Sequence, residues 1–284
     1  MLSNLGQLKS VFFILTIVIT YKSVANLNCI PLFSISEAPE FLTENWFTTN
    51  RNLNQYFKEL VTGGLKDKLT SSVQPIKWLD AGAGQAIAIR DTLKNKKFQS
   101  KIDKAYSVVY KKPNDGQTDL NNDIELFKNK FMYIEGDYIE NLFSEGKLKD
   151  LEGNLDIITD LFGPLTYTKD LSKVVEIYLK LLKKGGELEF NIGLMNTSGN
   201  PWLYLQFIDS NGKKINNAEE VLQEWFSKIK GVEIIKQDIS GFNDYSINFL
   251  IRKISDNIEI PKFIFESYDD LLVPPFRTFK LPPP

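Results

Sequence analysis

The stretch from 76 to 90, IKWLDAGAGQAIAIR, constrains the fold of this chain more than any other. Ile76-Lys77-Trp78-Leu79 is a short, mostly apolar run that ends on Asp80. Gly82 and Gly84 follow at alternate positions beside Ala81 and Ala83, and from Gln85 the spacing turns helical. A strand, a tight glycine turn and the first turn of a helix is how an open α/β sheet builds a nucleotide site. Glycine serves where the backbone must reach positive φ or let a ligand come close, and the helix start offers unpaired N–H groups. A dinucleotide fingerprint would place a third small residue where Ile87 stands. Asp80 would repel a pyrophosphate but suits an ammonium group. The ligand these residues imply joins an amino acid to a nucleoside and carries no phosphate.

Composition excludes several chemistries. There is no histidine, which removes Ser-His-Asp and Cys-His catalysis and any His-ligated metal centre. The single cysteine, Cys29, can form neither an internal disulfide, a Cys₄ zinc site nor a CxxC redox pair. No metal site is expected, and catalysis must use carboxylates, Tyr, Lys, Ser/Thr or positioning alone. A net charge of −2, with no basic stripe interleaved with aromatics, predicts no nucleic-acid partner. The 284 residues, 43% hydrophobic, allow one large α/β domain with additions.

Four segments are expected. Residues 1–25 read as a signal peptide: Lys9, an apolar run over 11–20, then Ser23-Val24-Ala25 before a cleavage point. That predicts export or membrane tethering, with membrane contact through this segment only. An uncleaved anchor or a buried helix in a cytoplasmic protein is the alternative. Residues 26–70 read as an arm followed by a helix over 55–69, which Gly63-Gly64 weakens or splits. Residues 71–255 form the main domain. Strands are expected over 105–110, 131–135, 155–160, 187–192, 232–239 and 245–251 besides the one at 76–79. Helices are expected over 120–130, 169–183 and 218–230. This alternation predicts an open α/β sheet. Between strand and helix lies an insert with Trp202, Tyr204, Phe207 and Asp209, which either shapes a substrate pocket or forms a surface β-loop. Residues 256–284 read as a Pro-rich tail, extended or mobile.

LDAGAG resembles the first motif of class I S-adenosylmethionine (SAM)-dependent methyltransferases, with apolar residues, Asp80, Gly82 and Gly84 in register. LLKKGGELEF resembles the family's Leu-Lys-Pro-Gly-Gly lead into a strand, with Lys184 in place of Pro. The resemblance covers 45–254. It implies a Rossmann-like, seven-stranded, mostly parallel sheet with an antiparallel C-terminal hairpin and helices on both faces. It also implies SAM as cofactor and methyl transfer to a small-molecule or peptide-like acceptor. Carried over residue by residue, Asp80, Ala81, Gly82, Ala83 and Gly84 would form the cofactor turn. Gly136, Asp137 and Tyr138 would follow the third strand, with Asp137 on the adenine amino group and Tyr138 along the ring. Asp160 would start the loop that faces the transferred methyl, and Asp160 or Tyr167 would be the base if one is needed. After the second strand the family has an acid on the ribose, whereas this chain has Tyr110, offered as a stacking residue. That departure favours a rival, a SAM-binding module without catalysis. The N-terminal segment favours another, an exported interaction protein that keeps the fold. Ile87 and the absence of that acid speak against a third, an NAD-type enzyme.

Overall fold

A computed structural model describes residues 51–111, 116–193, 205–238, 246–269 and 276–281. The expectations for 1–50, Asp115, Trp202, Tyr204 and the 239–245 turn lie outside the described residues. Eleven strands are described: β1 Ile76–Ala81, β2 Ile102–Val109, β3 Phe131–Glu135, β4 Leu155–Leu161, β5 Leu182–Gly193, β6 Leu205–Ile208, β7 Lys214–Ile215, β8 Val232–Asp238, β9 Ser246–Lys253, β10 Ile264–Asp269 and β11 Phe276–Lys280.

Seven of them form one sheet in the order β3-β2-β1-β4-β5-β9-β8. The first five run parallel to one another. β9 is antiparallel to both β5 and β8, which makes the expected hairpin. The chain winds outward from β1 to β3, then crosses back to β4 on the other side of β1. Such a reversal leaves a crevice beyond the carboxyl ends of the two strands that flank it. The whole site hangs from that point.

β1 is buried on both faces, as a central parallel strand must be. Leu79 and Ala81 join a core with Leu188, Phe190 and helices Leu171–Leu181 and Ala218–Lys228. Ile76 and Trp78 join another, with helices Leu53–Glu59, Gly64–Ser71 and Ile87–Lys94. Helices thus cover both faces.

The helix expected over 55–69 is split in two, one of the outcomes expected of Gly63-Gly64, because Gly63 takes a left-handed φ of 83° between the halves. Two expectations change in detail. The helix after the glycine turn starts only at Ile87, since Ala86 is itself left-handed at φ 52°. β2 ends at Val109, so Tyr110 lies just beyond it.

The larger correction concerns 256–284. The sequence reading makes it a tail, but β10 and β11 join the insert strands in a second, four-stranded sheet ordered β10-β11-β6-β7. The insert is therefore a β-loop, and the tail completes it. Aromatic residues hold the two together: Phe207 and Phe279 are fully buried, and Phe263 packs 5.0 Å from Phe207. The prolines of the tail masked the period-2 spacing of Phe263 and Phe265.

This second sheet reaches the crevice through Arg277. Its side chain is fully buried, donating to the Thr168 carbonyl and, at 3.1 Å, to that of Leu165. Both carbonyls belong to the segment after β4. Replacing Arg277 by Met would leave them without these donors, at a cost of about 2–4 kcal/mol. Urea unfolding of Arg277→Met against wild type is expected to show that loss.

Candidate functional site

The site is built on two loops in backbone contact. Gly82, after β1, has φ 77° and donates to the Val108 carbonyl at 2.8 Å. A Cβ on Gly82 would sit 2.5 Å from Gly163 Cα, and a Cβ on Gly163 would sit 2.3 Å from the Ala81 carbonyl oxygen. Only glycine fits at either position. Each loop also carries a non-glycine residue in the left-handed region, Ala86 at φ 52° and Phe162 at φ 54°. Strain of this kind persists where surrounding structure holds it, and it concentrates at ligand sites.

Above this contact lies a cleft of about 670 Å³, counting the space at its open mouth. Four segments line it: Gly82 and Gly84 after β1, Val108 to Tyr110 at the end of β2, Asp137 to Glu140 after β3, and Phe162 to Pro164 with Tyr167 and Thr168 after β4. Of the site residues expected from sequence, Gly82, Gly84, Tyr110, Asp137, Tyr138 and Tyr167 meet here. The rings of Tyr110 and Tyr138 pack on each other, 4.6 Å apart at 36°. Asp137 accepts from the Tyr138 N–H at 2.7 Å and from Asn141 Nδ2 at 2.8 Å, which ties the turn to the helix Ile139–Ser144. Gly136 precedes it at φ 114°, off the wall. Tyr133 fixes the glycine turn from β3, donating to the Gly84 carbonyl at 2.7 Å.

Glu140 is a wall residue that sequence reasoning missed. It accepts from Thr168 Oγ1 at 2.7 Å, and burial raises its carboxyl above the usual range. A single Glu in the first turn of a short helix carries no motif by which the sequence could have shown it. Asp137 and Glu140 are the acids of the wall, and among the described residues that line it there is no Lys or Arg. Among the described lining residues a phosphate would meet two carboxylates and no cationic side chain, whereas a ligand bearing N–H donors or positive charge would find acceptors.

Asp80 and Asp160 are corrections. Asp160 was expected to line the reaction side and Asp80 to orient the ligand through the backbone and water, and both are fully buried behind the wall. Asp80 accepts from Thr159 Oγ1 at 2.7 Å and from the Tyr56 hydroxyl at 2.8 Å. Any influence it has on a ligand runs through the backbone of the turn. Asp160 accepts from the Gly163 N–H at 2.7 Å, the Leu165 N–H at 2.9 Å and the Tyr178 hydroxyl at 2.6 Å. Its oxygens shape the loop after β4. Ala81 and Ala83 are buried beneath the turn and form no part of the wall. Burial pushes the Asp80 carboxyl up to about 7 against the hydrogen bonds of Thr159 and Tyr56. Burial likewise pushes Asp160 up to about 6, opposed first by Tyr178.

No family model matches the chain, and no curated protein matches it. Solved structures similar to it include Burkholderia thailandensis 1,6-didemethyltoxoflavin-N1-methyltransferase with bound S-adenosylhomocysteine. That pair shares 14% identity over 70% of this chain and 80% of the other, at a TM-score of 0.45. The [4+2]-cyclase SpnF shares 13% identity over 68% and 80%, at 0.44. Haemonchus contortus phosphoethanolamine N-methyltransferase 2 in complex with S-adenosyl-L-methionine shares 14% identity over 67% and 41%, at 0.40. Likenesses this distant carry no argument about chemistry.

Two expectations follow. Gly163→Ala forces the Ala81 carbonyl or the Asp160 carboxylate to move, at a cost of about 1–3 kcal/mol in urea unfolding. The native state also holds the Asp80 proton more tightly than the unfolded chain, whose ordinary value is 3.8. Its contribution to stability is therefore full below about pH 4 and is lost as pH rises through about 7. Asp80→Asn keeps an acceptor for Thr159 and Tyr56 but has no proton to lose. Compared at about pH 5 and about pH 8, wild type is expected to lose more stability on the rise than Asp80→Asn does.

Proposed function

We propose that the cleft binds SAM and that the chain is a methyltransferase of the class I type, acting on a small-molecule or peptide-like acceptor. One observation carries this reading. A cleft stands at the sheet's reversal point, floored by glycine backbone and walled by two carboxylates, with no cation for a phosphate among the described lining residues. It fits an uncharged nucleoside joined to a cationic amino acid part. The LDAGAG resemblance supports the same ligand.

The residues divide the work by position. Gly82 and Gly84 let the ligand lie against the backbone. Asp137 takes the adenine amino group, with the Tyr110–Tyr138 pair beside the base and sugar. Phe162 to Tyr167 form the wall toward the acceptor. SAM supplies an activated methyl on a sulfonium, which departs as a neutral thioether. The protein then has chiefly to hold the acceptor in line with that methyl and exclude water. If the acceptor must lose a proton, Tyr167 is the titratable group of this wall that is placed for it, Asp160 being engaged by its three donors. A second reading, SAM binding without catalysis, is favoured by that same closure of Asp160. Conversion of SAM to S-adenosylhomocysteine would exclude it. Segment 1–25 is proposed to direct export or tethering, and an intact N-terminus in cytosolic protein would count against that.

Thermal unfolding of the full chain tests the ligand directly. SAM at ~100 times Kd should add roughly 2.7 kcal/mol, a rise in Tm of about 5–10 °C. NAD at equal concentration is expected to give none. A rise with NAD and not with SAM would overturn the reading.

A further inference from the structure

We infer that the methyl acceptor lies beside Phe162 and carries a carboxylate, which Arg51 binds, while the amides of Asn191 and Asn248 bond a second polar group of the same molecule. This rests on the cofactor reading above and adds to it the class of the acceptor.

Phe162 links the two regions. It lines the cleft, and its ring packs against the core that the helix Leu53–Glu59 covers. Arg51, just before that helix, holds its guanidinium 5.3 Å from the ring centroid. The same cation opposes the rise of the buried Asp80 and Tyr56, which places it near the carboxyl end of β1. Glu59 Oε2 lies 2.8 Å from Arg51 Nε but out of line with the N–H bond, so that buried oxygen has no hydrogen bond. A guanidinium has five N–H donors in a planar fork. Glu59 stands at Nε, and the two terminal amino groups bond no described residue. A second carboxylate is the bidentate match for them. The side chain is 25% exposed, so a solute can reach it.

An independent observation on the same face points to a ligand. Glu189 of β5 is turned toward Thr62, Gly64 and Leu65. Side chains alternate along a strand, so Asn191 faces the same way, one step nearer the carboxyl end. It stands opposite Leu161 of β4 and Asn248 of β9, and its carbonyl accepts from the Phe162 N–H at 3.4 Å. Asn191 Nδ2 donates to Asn248 Oδ1 at 3.0 Å and to Ser246 Oγ at 3.2 Å. Asn191 Oδ1 and Asn248 Nδ2 are buried with no partner. Turning both amides over would again leave one free acceptor and one free donor. Buried polar atoms are costly unless bonded, and a group that both donates and accepts, such as an amide, satisfies this pair.

The test is an NMR titration of the full chain saturated with S-adenosylhomocysteine. Two matched pairs serve as probes: N-acetylglycine against N-acetylglycinamide, and benzoate against benzamide. Wild type is expected to bind each acid roughly tenfold or more tightly than its amide. Arg51→Gln should abolish that preference. Glu59→Gln, which frees the cation, should tighten both acids about two- to fivefold. Asn248→Ala should weaken N-acetylglycine about threefold or more and leave benzoate, which has no amide, unchanged. An Arg51 that only packs would lower the unliganded Tm on replacement, with acids no tighter than amides in wild type, and that overturns the assignment. Should Arg51→Gln not fold, acid binding unmoved by Glu59→Gln overturns it as well. Equal effects of Asn248→Ala on both acids would mean that trapped water fills the amide pair, which overturns its part. Failure of S-adenosylhomocysteine itself to bind, read beforehand by calorimetry, sinks the cofactor reading instead.

Discussion

The contact between Gly82 and Gly163 is the constraint on which the site depends. There is no room for a methyl group on either residue, so the turn after β1 and the loop after β4 meet backbone to backbone. The reversal of strand order creates a crevice between those two strands in any sheet of this kind. Here the crevice is narrowed until backbone meets backbone at its floor. A ligand above it meets peptide groups whose positions are already set, and little ordering is left to be done on binding.

Three buried carboxylates hold the covers of the sheet in place. Asp80 anchors the helix Leu53–Glu59 through Tyr56, and Asp160 folds the segment 163–165 back on itself. Glu189 on β5 accepts from Thr62 Oγ1 at 2.6 Å and from the Gly64 and Leu65 N–H groups at 3.0 and 2.7 Å. It thereby fastens the start of the helix Gly64–Ser71. A buried acid costs free energy unless donors surround it, and each of these accepts from two or three donors. The acids most conspicuous in a linear reading, Asp80 and Asp160, are thus buried, and the acids on the cleft wall come from the less conspicuous segment after β3.

Legibility followed the range of the interactions. The parallel core strands, the glycine turn and the closing hairpin could be read because each is written in local periodicity, such as the apolar run ending at Asp80. β3 matched its expected span, and β4 and β9 differed from theirs by no more than two residues. The second sheet could not be read, because its strands pair across long separations and its prolines imitate a linker. The roles of Asp80 and Asp160 were misread for a related reason. An acid at the end of a strand looks the same in sequence whether its oxygens meet a ligand or a hydroxyl from a distant helix. Tyr56 and Tyr178 decided that, 24 and 18 residues away. Glu140 was overlooked because a single Glu in a short helix carries no motif.

Arg277 gives the cleft a dependence in time as well as in space. The carbonyls it holds lie 109 and 112 residues earlier in the chain. During synthesis, from the N-terminus onward, every strand of the large sheet is available before β11 exists. The segment from Leu165 to Thr168 must wait for it, so the large sheet precedes its own finished cleft wall. Contacts of such separation are slow to form, because a long loop must close first. An incomplete chain would then have its large sheet and a cleft wall not yet set.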